Sequence, residues 1–166
     1  MSYSHQVIKI FTTGGSLDKV YSPQVSNFVV GEPAVSEILR NANVNIEYDI
    51  TPLLRKDSLE IIDKDRALIV ERIRNDPNKR ILITHGTDTM VQTANALSEI
   101  QGKTIVLTGA IQPAACRITD AAFNIGCAII ATQILPEGVF IVMNGKVFNP
   151  SHVRKDNKRN LFIEVD

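Results

Sequence analysis

Five short runs rich in β-branched residues alternate along this chain with longer stretches of helical periodicity, and that alternation constrains the fold more than any other feature. A strand with one wet face alternates apolar and polar residues, whereas a strand covered on both faces reads apolar almost throughout. The first run is Val7-Ile8-Lys9-Ile10-Phe11, ended by Thr12-Thr13-Gly14-Gly15. Val44 to Ile50 is the second, Arg80 to Thr84 the third, Thr104 to Thr108 the fourth and Val139 to Met143 the fifth. Asn144-Gly145 then signals a hairpin turn with Lys146-Val147-Phe148 as its return, and Leu161-Phe162-Ile163 reads as a short edge strand.

Helical patterns fill the intervals. Pro33 opens a helix with Val35, Ile38 and Leu39 on one face. Asp63 is placed as the N-cap of a helix through Leu68, Ile69, Arg72 and Ile73, which Asp76-Pro77 stops. A third helix runs through Val91, Ala94, Leu97 and Ser98 towards Gly102, and Thr119-Asp120 caps a fourth through Phe123, Ile125, Ala128 and Ile129. Strands alternating with helices imply an α/β fold: a doubly wound, mostly parallel sheet flanked by helices, Rossmann-like or flavodoxin-like, with residues 1–166 forming a single domain. Aromatic residues are 5% of the chain and tryptophan is absent, so its core is aliphatic.

Several function classes drop out. Eighteen Lys+Arg balance eighteen Asp+Glu, so no basic field points to nucleic acid. Cys116 and Cys127 make no disulfide framework, and with His5, His85 and His152 scattered there is no metal-ligand spacing. The segment Met1 to Gln6 lacks a signal-peptide layout, and the apolar stretch near Ala121 to Ala131 is too short to span a bilayer. The expectation is a cytoplasmic protein without membrane or nucleic-acid partners, and neither metal nor cofactor is implied.

In doubly wound sheets ligands bind beyond the carboxyl ends of the strands. Here those ends are Thr12-Thr13-Gly14-Gly15-Ser16, Thr84-His85-Gly86-Thr87-Asp88-Thr89 and Thr108-Gly109-Ala110, which gather hydroxyls from three segments. Paired glycines let the backbone turn tightly and approach a ligand closely. Each piece also has a structural reading: the Thr-Gly-Gly turn as a terminator, Asp88 as a helix cap, His85 as a loop histidine. The adjacent glycines fit neither GxGxxG nor GxxxxGK[ST].

Together these segments resemble the bacterial-type L-asparaginase and glutaminase-asparaginase family. The carrying residues are Thr12-Thr13-Gly14-Gly15-Ser16, then Thr84-His85-Gly86-Thr87-Asp88-Thr89-Met90, then Leu107 to Pro113, with Val142 to Gly145 and Val153-Arg154-Lys155 behind them. The resemblance is to a short form with one N-terminal-type domain and no second, C-terminal domain. It implies hydrolysis of a side-chain amide, asparagine first and glutamine or another amide as the alternative, through a threonine acyl-enzyme. By that match Thr13 is the nucleophile, Thr87 and Asp88 are the second threonine and its acid, and Lys155 is the family's lysine. Tyr21 is preferred as the loop phenol, although Ser26 to Gly31 resembles the segment that carries it and has Phe28 there. Gly14, Asp57, Ser58, Gly86, Thr87 and Asp88 make up the substrate-binding set, Ser58 towards an α-carboxylate and Asp88 towards an α-ammonium.

The chemistry is coherent with those roles. A threonine hydroxyl needs a proton acceptor before it can attack, and the Gly86-Thr87 amide offers an oxyanion donor beside a helix N-terminus. The sequence departs from the family pattern at Ser16, Leu59 and Gln112. Leu59 stands where a polar substrate contact is usual, which motivates a rival reading as a binding or sensing domain for asparagine or aspartate. The basic group Arg154, Lys155, Lys158 and Arg159 has a plainer reading as a solvated loop. A homodimer or homotetramer is expected, because a pocket open on one edge benefits from a neighbouring subunit.

Overall fold

The computed structural model describes residues 6–166; the readings that fall on Met1 to His5 lie outside the described residues. The central sheet holds six strands in the order β4 (Tyr48–Lys56), β1 (Ile8–Gly14), β5 (Arg80–Thr84), β6 (Thr104–Thr108), β7 (Gly138–Met143) and β8 (Lys146–Phe148). All neighbours pair in parallel except β7 with β8, which turn on Asn144-Gly145 with both φ angles positive. In order of appearance the five parallel strands lie 2-1-3-4-5, the flavodoxin-like arrangement. The order reverses between β1 and β5, so the switch point lies beyond Thr12 and Thr84, which stand opposite each other.

Helices cover both faces. Ile8, Ile10, Leu82, Val106 and Val142 point to one side and pack against α1 (Val35–Asn41) and α4 (Ala121–Ile134). Phe11, Ile81, Ile83, Ile105 and Leu107 point to the other, against α2 (Asp63–Asn75) and α3 (Met90–Ala96). Ile69 and Ile73 of α2 are fully buried there, each contributing roughly 1.5–3 kcal/mol. The strand period of two also separates the adjacent threonines of β1: Thr12 falls on the α1–α4 face and Thr13 on the α2–α3 face.

Two antiparallel ribbons stand outside the main sheet. One pairs β2 (Lys19–Ser22) with β3 (Asn27–Val30); the other pairs β9 (Val153–Asp156) with β10 (Leu161–Glu164). The stretch Leu161 to Ile163 is therefore a strand of its own ribbon, and Phe162 packs it against Phe148. The second sheet strand begins at Tyr48 rather than Val44 and runs on through Pro52. Its place at the sheet edge permits the proline, which has no N–H to donate inward. Asp63 starts α2 rather than capping it; Asp65 reaches back to the Ile62 N–H at 3.0 Å. Helix α3 ends at Ala96 in turns through Ile100. Among the described residues no helix is long and apolar enough to cross a membrane.

Candidate active site

Three chain segments meet at the switch point with almost no space between their backbones. Gly14 and Gly15 take φ of 99° and 83°, values that favour glycine, as β1 leaves the sheet. A Cβ on Gly15 would lie 2.4 Å from the Cα and N of Gly86, and one on Gly86 would lie 2.5 Å from the Ser58 Cβ. The Gly15 N–H donates to the Lys56 carbonyl at 2.8 Å, and the Thr89 hydroxyl to the Ser58 carbonyl at 2.7 Å. The turns after β1, β4 and β5 are thereby held as one body. Gly14, Ser58 and Gly86, all assigned to the substrate set from sequence, lie together in it.

Lys155, on β9, reaches this body from outside the sheet. Its Nζ donates to Thr87 Oγ1 at 2.8 Å and stands 2.5 Å from Asp88 Oδ1. Asp88 therefore does not cap α3, whose N-cap is Thr89, and Lys155 is no solvated loop lysine, its side chain being 13% exposed. Because the ammonium occupies the Thr87 oxygen as a donor, the Thr87 hydroxyl proton is free to point away from it. Thr13 is fully buried, and its hydroxyl donates to the Thr84 carbonyl at 2.8 Å across the β1–β5 seam.

His85 is turned into the interior. It is fully buried, with Nδ1 2.7 Å from the Gly86 carbonyl and Nε2 2.9 Å from the Thr93 hydroxyl. A carbonyl only accepts, so Nδ1 carries the proton and Thr93 donates to Nε2. Burial lowers the His85 pKa to about 4, against the favourable Gly86 bond, and keeps the ring neutral. In a trans peptide N–H and C=O point opposite ways. Anchoring the Gly86 carbonyl on His85 therefore turns the Thr87 N–H outward.

Asp57, directly before Ser58, forms an ion pair with Lys19 of β2, each side chain about one-quarter exposed (27% and 26%). Partial burial pushes the Asp57 carboxyl up, but Lys19, the Leu59 N–H at 3.0 Å and the charge of Lys155 outweigh it and hold it below its ordinary value. Leu59, directly after Ser58, is 73% exposed. Tyr21 lies on the exposed β2–β3 ribbon directly opposite Phe28, the two rings edge to face at 5.9 Å. The two positions that compete for the loop phenol are thus cross-strand neighbours. The ribbon is tied down at its base by Asp18, whose carbonyl accepts from Gly31 N and whose Oδ1 accepts from Ala34 N, both at 2.8 Å.

Thr13, Thr87, Asp88 and Lys155 thus stand at or against the two glycine-containing turns after β1 and β5. A family model described as asparaginase, N-terminal, matches residues 7–162. The chain belongs to the asparaginase family. It is 30% identical over 165 residues to L-asparaginase 2 of Escherichia coli, covering 90% of this chain and 46% of that protein. It is 31% identical over 163 residues to the glutaminase-asparaginase of Acinetobacter glutaminasificans, covering 89% of this chain and 49% of that one. The crystal structure of L-asparaginase I from Vibrio cholerae superposes with a TM-score of 0.83 at 24% identity, over 97% of this chain and 52% of the other, which establishes the likeness of fold. The chain spans about half the length of these relatives.

Within this asparaginase-family chain, sequence reasoning missed Lys19 and Thr89. Lys19 has a readable signal, since it lies two residues before Tyr21 and so on the same side of β2. Thr89 has none: its hydroxyl serves a carbonyl thirty-one residues away.

Proposed function

We propose that this chain is an amidohydrolase that converts the side-chain amide of L-asparagine to aspartate and ammonia. The observation that carries the reading is the Lys155–Thr87–Asp88 cluster in the turn after β5, the strand whose last residue, Thr84, accepts from the Thr13 hydroxyl. In the proposed reaction the Thr13 oxygen attacks the amide carbon as its proton is relayed through the Tyr21 or the Thr87 hydroxyl to the amide nitrogen, with the Lys155 ammonium holding Thr87 in place. The outward Thr87 N–H donates to the oxyanion. The carbon–nitrogen bond breaks, the amide nitrogen takes a proton and leaves as ammonia, and water then hydrolyses the threonyl ester to aspartate and free Thr13. Ser58 and Gly14 meet the substrate carboxylate end, with Asp57 and Asp88 towards its ammonium.

Glutamine is the nearest competitor, as one methylene separates the two amides by only about 1–3 kcal/mol. The binding or sensing reading draws on Leu59, a 73% exposed apolar side chain beside Ser58 where a zwitterion offers nothing apolar. The proposed compartment is the cytoplasm, which suits two free thiols, and the proposed assembly is a homodimer or homotetramer.

Ammonia release is to be measured with L-asparagine, L-glutamine and both D-forms, beside calorimetric binding of asparagine and aspartate. Turnover fastest on L-asparagine supports the proposal. Tight binding of aspartate without turnover of any amide overturns it in favour of the sensing domain.

A further inference from the structure

Each leg of the β2–β3 ribbon is joined to the end of β4 by an ion pair. Glu32, two residues past β3, meets Arg55 at 2.6 Å, and Lys19, the first residue of β2, meets Asp57. The two pairs are not equivalent. Glu32 and Arg55 are 80% and 51% exposed, a setting in which water and salt leave an ion pair with little effect. Lys19 and Asp57 are both largely covered. The Asp18 hydrogen bonds close the base of the ribbon and join it to Ala34, but they do not reach β4.

The Asp57 carboxylate is held in place independently of the lysine. Asp57 caps the short turn Ser58–Glu60: its Oδ1 accepts from the Leu59 N–H at 3.0 Å, and Glu60 reaches back to the Asp57 N–H at 3.3 Å. Oδ2 is thereby presented to Lys19 in a fixed direction. Lys19 shares one side of β2 with Tyr21, two residues and roughly 6–7 Å further along the strand. Whatever fixes the side to which Lys19 points therefore fixes the side to which the phenol points. Val30, opposite Lys19 in the ribbon, lies against Gly14, where an added Cβ would come 3.0 Å from its Cγ1. Ser58, next after Asp57, packs on Gly86, the residue before Thr87. Contacts thus run without a gap from the ribbon to the Thr87 turn, through Lys19, Asp57, Ser58 and Gly86.

We propose that Lys19 is a positioning residue for Tyr21: by holding Asp57 it sets the ribbon against the Ser58 turn and so places the phenol beside the site. The task of the phenol rests on the amidohydrolase reading, whereas the hold on the ribbon rests on the ion pair alone. Lys19 makes no bond to the reacting atoms and moves no proton. It grips only the first residue of a four-residue strand, so the origin of the ribbon is fixed while its tip stays free to move.

Hydrogen exchange of the full chain, read by mass spectrometry over residues 19–30, tests the hold, with residues 153–164 of the second ribbon as the internal control. Lys19→Met keeps the stem and removes the charge. Exchange over 19–30 should then quicken about threefold or more, with 153–164 unchanged, and Lys19→Arg should restore most of the protection. Unchanged protection in Lys19→Met overturns the proposal. So does protection that Lys19→Arg fails to restore, since the hold would then be packing and not charge. Ammonia release tests the consequence for Tyr21. Lys19→Met should lower kcat roughly 10-fold, and combined with Tyr21→Phe it should be no slower than Tyr21→Phe alone, because residues acting as one unit do not give multiplied losses. An unchanged kcat in Lys19→Met, or losses that multiply, overturns the positioning role. If no amide is turned over, the amidohydrolase reading fails by itself, and the exchange measurement still decides whether Lys19 holds the ribbon.

Discussion

The two walls of the candidate site are built differently. The Lys155 wall is a tight network: Lys155 bonds both Thr87 and Asp88, His85 locks the Gly86 carbonyl from behind, and Gly15 touches Gly86. The Tyr21 wall is a four-residue-by-four-residue ribbon with Val20, Tyr21, Phe28 and Val29 all exposed. A two-stranded ribbon on its own is only marginally stable. Under the proposed function the contrast separates two tasks. Groups that stabilise charge must be fixed before the substrate arrives, whereas a wall that admits and then covers a substrate must yield.

That comparison can be broken or sharpened in order of effect. Thr13→Ala should lower ammonia release by on the order of 10⁴-fold or more and leave the dichroism spectrum native, since the buried hydroxyl's bond to Thr84 contributes only about 1 kcal/mol. Full activity in that variant would remove the nucleophile from the proposal. Lys155→Met should cost roughly 10²–10⁴-fold in kcat with KM less affected, because it strips the closed wall of its cation. An equal loss confined to KM would make Lys155 a binding group instead.

Tyr21→Phe should cost about 10²-fold in kcat without shifting Tm, as the phenol has no hydrogen-bond partner among the described residues. If Phe28→Ala proves as damaging as Tyr21→Phe, the ribbon acts through its apolar surface and the phenol assignment fails. The smallest effect concerns Asp18 and His85, which pull stability in opposite directions with pH. Burial raises the Asp18 pKa from 3.8 to about 6, against the Ala34 hydrogen bond. Its contribution is therefore full below the unfolded pKa and is lost as pH rises through about 6. His85, lowered from 6.5 to about 4, does the reverse and loses stability as pH falls between those values. Wild-type stability should be nearly flat from about pH 4 to 6. Asp18→Asn keeps the acceptor for Ala34, should gain up to about 3 kcal/mol above pH 6 and should expose the acid-side decline. A denaturant series across pH checks both; an unchanged flat profile in the variant refutes the pairing.

The parallel strands were legible because each is a local apolar run, and the glycine turns because their chemistry sits in adjacent residues. What was not legible depends on distant partners. Nothing between Lys19 and Val30 shows a period that announces a ribbon, and its apolar residues gain no core. The start of β4 was misread because Val44 to Ile50 alternates, while the residues that pair with β1 run from Tyr48 through Pro52. Asp88 looks like a helix cap by position. Only β9 folding back brings the cation that claims it. Lys155 itself was accessible through family resemblance and not through charge pattern, since three other cations surround it in sequence.

The contact of Gly15 with Gly86 has a consequence for how such a site can change over generations. With a Cβ at either position 2.4–2.5 Å from backbone or side-chain atoms of the neighbouring segment, both positions are closed to every other amino acid. The spacing between the turn after β1 and the turn after β5 is thus not adjustable by single substitutions. Under the proposed function, changes of substrate range are expected at Leu59 and the ribbon, where side chains border water and replacements cost the fold little. The frame of the site is held by steric exclusion, and its exposed rim is free to drift.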